Sequence, residues 1–158
     1  MIKKIVNVKQ SVRIADELHR SGKKIVLAGG IFDILHLGHV EFLEAAKKRG
    51  DFLFVLLESD KAAKKFKGKD RPFNNQKERA DVLSALKAVD YVVMLSGVLK
   101  NKDYDKIVGF ISPVILATTQ NDPNKKHKDR QGKLFKIKVV SVIKRIKGKS
   151  TTEILRYF

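Results

Sequence analysis

The sequence predicts an α/β protein, a single domain with a parallel five-stranded sheet flanked by helices. Three observations carry that expectation. Short apolar runs recur at Ile25–Ala28, Phe52–Leu57, Tyr91–Leu95, Val114–Ala117 and Ile137–Val142. Four of these are near-continuous hydrophobics, the pattern of strands buried on both faces. The segments between them space their apolar residues as helices do, and strands alternating with helices select parallel pairing through right-handed crossovers. A chain of 158 residues with 43% hydrophobic content can bury a core, which excludes a wholly disordered polyelectrolyte.

Each element has its own local signal. Val12–Leu18 reads as a helix ending near Gly22, so residues 1–23 form a helical extension ahead of the first strand. After Ile25–Ala28 comes the pair Gly29-Gly30. Val40, Leu43, Ala45 and Ala46 then share a helix face, with Gly50 placed as a C′ terminator. Beyond the second strand, Lys67–Asn75 is a polar, breaker-rich loop. Asn75 and Glu78 read as a capping box opening a helix with Ala80, Leu83 and Leu86 on one side. Thr118–Gly132, after the fourth strand, reads as a second loop. Ser150-Thr151-Thr152-Glu153 is another capping box, before a final helix.

Charge narrows the partners. The chain carries 34 Lys+Arg against 17 Asp+Glu, a formal net charge of +17. The excess gathers between Pro123 and Lys149, where Asp129 is the lone acid among eleven Lys and Arg. Such a surface attracts polyanions, whether nucleotides, nucleic acids or anionic membranes. Zero cysteines exclude disulfides, thiolate metal sites and a cysteine nucleophile. No apolar run approaches the roughly 20 residues of a membrane helix, and the amino terminus lacks an apolar signal core. A cytoplasmic protein without membrane attachment is the expectation.

In parallel sheets, ligands bind beyond the carboxyl ends of strands, which directs attention to Gly29-Gly30-Ile31-Phe32-Asp33-Ile34-Leu35-His36-Leu37-Gly38-His39. Glycines admit close backbone approach. Two histidines three residues apart project from one face of a helix start, where unpaired amides favour an anion. Together they make a phosphate cradle. The spacing alone equally suits a metal pair or structural histidines.

Gly30, Phe32, Asp33, His36, Gly38 and His39 match the pattern G-x-F-D-x-x-H-x-G-H, and the run resembles the signature of the cytidylyltransferase-like nucleotidyltransferase superfamily. The resemblance implies a Rossmann-like sheet whose HxGH element holds a nucleotide triphosphate, with Ile31 contributing to the same cradle. Ser59–Asn74 followed by Glu78–Leu83 resembles bacterial heptose-1-phosphate adenylyltransferase domains, which implies that Lys64 and Arg79 serve acceptor phosphates. Arg145-Ile146-Lys147-Gly148-Lys149-Ser150-Thr151-Thr152 resembles the R-x-x-G-x-S-T-T motif of glycerol-3-phosphate cytidylyltransferase, which implies triphosphate contacts from Arg145, Ser150 and Thr151. Where relatives carry a Gly-Asp-rich segment for base and ribose, this chain has Thr118-Thr119-Gln120-Asn121-Asp122-Pro123, leaving Thr118 and Asp122 as candidates there.

The implied reaction transfers a nucleotidyl group from an NTP, ATP ahead of CTP, to a phosphorylated acceptor such as a sugar phosphate or phospho-alcohol, releasing pyrophosphate. His36, His39, Lys64 and Arg145 are the expected catalytic residues, and Mg²⁺ is expected to be held mainly by the nucleotide. A homodimer is a further expectation from the family. A nucleic-acid-binding module is the rival from another class. It would need aromatic stacking platforms, and the basic clusters hold only Phe66, Phe73 and Phe135.

Overall fold

A computed structural model describes residues 3–144 and 148–157. The elements run β1 (Ile5–Asn7), α1 (Val8–Arg20), β2 (Ile25–Gly30), α2 (Leu37–Lys47), β3 (Phe52–Leu57), α3 (Asp60–Lys67), α4 (Gln76–Ala85), β4 (Tyr91–Met94), α5 (Asn101–Ile111), β5 (Ile115–Thr119), α6 (Lys125–Phe135), β6 (Lys138–Ile143) and α7 (Thr151–Leu155). The strands form one parallel sheet in the order β1-β4-β3-β2-β5-β6.

The central strands bury both faces. In β2, Ile25 and Leu27 join one apolar cluster while Val26 and Ala28 join the other. The first cluster includes Ala15 of α1 and Ile107, Val108 and Ile111 of α5. The second includes Phe42, Leu43 and Ala46 of α2 with Ala80 and Leu83 of α4. A strand covered on both sides has no polar face to display, which is why these runs do not alternate.

Two expectations are corrected. The sheet has six strands rather than five, because Ile5–Asn7 pairs with β4, placing Ile5 opposite Val92 and Val6 opposite Val93. Three residues are too few to show a period. The strand exists through its partner and through Lys4, whose Nζ donates to Val89 O at 2.8 Å. Within the expected helical extension, residues 3–23 hold a strand as well as a helix, and Asn7 ends β1 while capping α1 through a box with Gln10. The polar segment after β5 also holds a helix, α6, where a loop was expected. Its buried residues are only Gln131 and Gly132, so no apolar stripe announces it. Ion pairs support it instead, Lys125 with Asp129 one turn on and Arg130 with Asp105 of α5.

Gly50 does a different job from the one its position suggested. Helix α2 ends at Lys47 with Lys48 as its cap, and Gly50 is not in the left-handed region. It is small because a Cβ there would meet Val26 Cγ2 at 2.8 Å and Lys24 O at 2.9 Å. The turn into β3 thus runs against the start of β2, where Asp51 N donates to Lys24 O at 2.8 Å. Gly50→Ala should lower stability by about 1–3 kcal/mol, the usual cost of forcing atoms into packed space. Urea denaturation measures this, and an unchanged midpoint would contradict the close approach.

Candidate active site

Gly29 and Gly30 close β2 at the centre of the sheet, and the chain then turns through Phe32 at φ 48. A Cβ on Gly30 would touch the Phe32 ring at 3.0 Å, so the glycine lets that ring fold back. Phe32 is buried and meets the His39 ring, centroids 5.1 Å apart. His36 is the N-cap of α2, yet no side chain caps the helix, which leaves its first amides without side-chain partners. The His36 and His39 rings stack at 3.8 Å with 23° between their planes. Gly38 permits this, because a Cβ there would lie 3.1 Å from the His36 ring and 3.4 Å from Lys149 O.

Both imidazoles have a buried Nδ1 with no hydrogen-bond partner among the described residues. Burial pushes His39 down to about 3, and the neighbouring His36 adds to the effect. Burial likewise lowers His36, with Glu153 opposing and Lys149 assisting. Near neutral pH the pair is uncharged, since partial burial disfavours the imidazolium of each ring. Each ring then offers one N–H.

Asp33 is the next residue of the turn, and its side chain is 1% exposed. It accepts from Arg71 Nε at 2.7 Å, Phe73 N at 2.9 Å and Asn74 N at 3.0 Å. Burial alone would raise its pKa, but the two backbone amides and Arg71 outweigh that and hold it below the usual value. Asp33 therefore fastens the loop before α4 onto the histidine turn. Arg71 lines the cleft, and beyond Nε its guanidinium makes no hydrogen bond among the described residues.

Arg79, expected at the acceptor phosphate, is placed elsewhere. It is 1% exposed, and its donors are consumed by Asn74 O at 3.1 Å, Glu58 O at 2.9 Å, Asp60 Oδ1 at 2.8 Å and a short contact to Ile31 O. It buttresses the loops that surround the cleft and does not line it. Lys64 is exposed and also outside the lining, whereas its neighbours Lys65 and Lys67 face the cleft. Arg145 lies outside the described residues. Thr118 is fully buried and Asp122 half-buried. Thr118 Oγ1 donates to Asp122 at 2.6 Å, and Lys128 reaches the same carboxylate at 2.6 Å. Burial opposes ionisation of Asp122, but these bonds and the lysine charge keep its pKa low. The three residues brace the turn after β5, and of them only Lys128 borders the cleft.

From the other end of the chain, Thr151 is buried and donates from Oγ1 to Ile34 O at 3.2 Å, clipping α7 onto the histidine turn. Ser150 caps α7, its Oγ accepting from Glu153 N at 3.2 Å and donating to the Glu153 carboxylate at 2.9 Å. Both border one cleft of about 1160 Å³, together with Gly30, His36, His39 and Arg71. Its floor holds a feature that sequence reasoning missed, Glu58 at the end of β3 with Tyr104 of α5. No pattern marks them, because they are 46 positions apart and meet only through the crossover. Among the described residues no three His, Asp or Glu side chains group as metal ligands, and no helix is long and apolar enough to cross a membrane.

A family model described as cytidylyltransferase-like matches residues 27–156. The chain is 42% identical over 142 residues to the bifunctional protein HldE of Nitratiruptor sp., covering 90% of this chain and 29% of that protein. It is 38% identical over 156 residues to the protein of the same name from Campylobacter fetus, covering 97% and 31%. The chain thus spans under a third of those relatives. Among solved structures, a lipopolysaccharide core biosynthesis protein from Thermoplasma volcanium is 30% identical with a TM-score of 0.60, over 79% of this chain and 98% of that one. A pantoate-beta-alanine ligase from Francisella tularensis, solved with an ATP analogue and beta-alanine, shares the fold at 16% identity and a TM-score of 0.70, over 99% and 74%.

Two outcomes follow from the geometry. Arg79→Met keeps the bulk but strands three carbonyls, so stability should fall by about 1–3 kcal/mol or more, the cost of leaving buried acceptors unpaired, while the 42% exposed Asp60 can turn to solvent. A thermal midpoint equal to that of the parent would show that the guanidinium bonds are dispensable. For His39, the folded-state value near 3 lies below the ordinary 6.5, so the unfolded chain binds the extra proton between them. Its contribution is complete above pH 6.5 and is lost as pH falls toward 3, at most about 1.4 kcal/mol per pH unit. His39→Asn should flatten the dependence of unfolding free energy on pH in that window, and an identical slope would refute the depressed value.

Proposed function

Since the chain belongs to the cytidylyltransferase-like family, we propose that it transfers a nucleotidyl group, adenylyl by preference, from an NTP to the phosphate of a sugar phosphate and releases pyrophosphate. One observation carries the reading. Two neutral histidines with unpartnered nitrogens stand at the uncapped start of α2, inside a cleft bordered by cations. That is a site built for polyphosphate oxygens. The preference for adenylyl rests on the resemblance of Ser59–Leu83 to sugar-phosphate adenylyltransferase domains.

The chemistry asks little of the protein's own nucleophiles. A phosphate monoester, with its second pKa near about 6, is already an anionic nucleophile at neutral pH. One of its oxygens attacks the α-phosphorus in line. The bond from that phosphorus to the bridging oxygen breaks, and its electron pair leaves with pyrophosphate. The obstacle is repulsion. Two unit charges 4 Å apart cost about 1 kcal/mol in water and about 4 kcal/mol at an effective dielectric of 20. Catalysis is then positioning and charge stabilisation.

His36 and His39 donate N–H groups to the triphosphate, with His39 aimed at charge developing on the leaving group. Being neutral when the site is empty, they do not add to the repulsion among the cations around them. Arg71, steadied by Asp33, takes the acceptor phosphate in place of Arg79, with Lys65 and Lys67 beside it. Ser150 and Thr151 hold the cleft wall against the histidine turn. Mg²⁺ would be held by the nucleotide's phosphate oxygens and waters rather than by side chains of this chain, and would supply charge reduction on the polyphosphate.

Pyrophosphate release from ATP or CTP in the presence of hexose and heptose phosphates tests the reading. Arg71→Ala should lower kcat/KM for the acceptor by about 10²-fold, the scale of one lost anion donor, with ATP affinity nearly unchanged. Absence of release with any pair, or full activity in that variant, would overturn it.

A further inference from the structure

We propose that Glu58 and Tyr104 form a subsite in the cleft floor that reads the hydroxyl groups of a polyhydroxylated acceptor, an inference that rests on the transfer reaction above. Glu58 follows β3 directly and is pinned on both sides. Its N–H donates to Gly30 O at 3.1 Å, and its carbonyl accepts from Arg79 at 2.9 Å. Ser59 then caps α3. The direction of the Glu58 side chain is thereby set by the same contacts that shape the phosphate cradle.

The carboxylate is half satisfied. Oε1 accepts from the Tyr104 hydroxyl at 2.6 Å, while Oε2 is buried and has no partner among the described residues. Both residues border the cleft. Burial raises the Glu58 pKa against the opposing effects of Tyr104 and Arg79, as expected for an oxygen whose solvation has not been replaced. Tyr104 spends its only proton on Oε1, so what the pair still offers is acceptor capacity. A fitting ligand brings hydrogen-bond donors.

The surroundings decide which donors. Lys65, Lys67, Arg71 and Lys100 border the same cleft, and Arg79 lies against the Glu58 backbone. A cationic ligand would enter a field of its own sign, whereas a neutral hydroxyl would not. The base is expected one strand away. The helices after β2 and β5 pack into opposite clusters, as Phe42 and Phe135 show, which opens the ligand crevice between those two strands. Glu58 stands on the β3 side, with the cations assigned to the acceptor phosphate. A phosphate held there by Arg71 leaves the rest of the acceptor to meet Glu58.

Calorimetric titration with ethyl phosphate, glycerol 3-phosphate and glucose 1-phosphate, in the presence of a non-hydrolysable ATP analogue, varies hydroxyl number at nearly constant charge. For the parent protein, affinity should rise about tenfold or more across that series, since a site built to bond hydroxyls discriminates strongly against their loss. Glu58→Gln preserves shape and turns the free acceptor into a donor, so the same series should collapse to within about twofold, with the affinity for the ATP analogue unchanged. Tyr104→Phe should reduce the discrimination in part. A flat series in the parent, a preserved series in Glu58→Gln, or equal losses of nucleotide and acceptor binding would each overturn the subsite. Glu58→Asp, which keeps the charge but withdraws it, serves where Glu58→Gln fails to fold, and it too should flatten the series. Because the readout is binding, hydroxyl-dependent affinity without pyrophosphate release would sink the transfer reaction and leave the subsite standing.

Discussion

Four strand-end and loop segments converge on the guanidinium of Arg79, and the geometry of the cleft depends on that convergence. Ile31 belongs to the turn after β2, Glu58 to the turn after β3, Asn74 to the loop before α4, and Asp60 to the start of α3. Each supplies a carbonyl or carboxylate that a buried loop would otherwise leave unpaired, a cost that native proteins rarely tolerate. A planar group with five fixed donors suits several acceptors lying in different directions, and lysine could not replace it. The charge survives burial because every neighbour is an acceptor. Asp33 performs the complementary task from the other side of the same loop, as an anion gathering amides and Arg71.

These two buried ions divide the positive charge of the chain into kinds. Arg79 is structural. Lys125, Lys128 and Arg130 are each tied to an aspartate, so much of the basic α6 is locally neutralised. Lys77 pairs with Asp81 at the surface, where such contacts stabilise little. What faces the cleft is a smaller group that includes Lys65 and Lys67, which have no ion-pair partner among the described residues, and Arg71, whose pair with Asp33 uses Nε and leaves the rest of its guanidinium unbonded among them. A net charge of +17 thus reduces, at the site, to a few cations with orientation.

The sequence was informative where a short local pattern determines the outcome. Apolar runs, four of them near-continuous, located β2 to β6, and the Asn75 and Ser150 caps were visible because a helix start needs an acceptor at a fixed spacing. The glycine and histidine turn was legible for the same reason, since Gly30, Phe32, His36 and His39 meet one another within ten residues. It failed where partners are remote. β1 exists only through β4, and α6 lacks an apolar face because it stands over a sheet edge whose β6 is itself half-exposed. Arg79 and Arg71 were indistinguishable as residue types. Their roles are set by remote partners, Arg79 by the carbonyls of Ile31 and Glu58, 48 and 21 positions before it, and Arg71 by Asp33, 38 positions before it. The Glu58 and Tyr104 pair carries no periodic signal at all.

Electrostatics at the site follows from this separation of roles. The histidines pack against Phe32 and each other, and this partial burial favours their uncharged state. A nearby negative charge would act in the opposite sense, since it favours the protonated imidazole. Without such a charge the pair adds none of its own to the cleft near neutral pH. Arg71 cannot respond in this way, since a guanidinium is always charged, and so it is held by a permanent counter-ion, Asp33, through Nε alone. One part of the cleft offers neutral donors and the other a cation fixed by an ion pair. That difference suits a reaction in which one polyanion must be seated before a second can approach it.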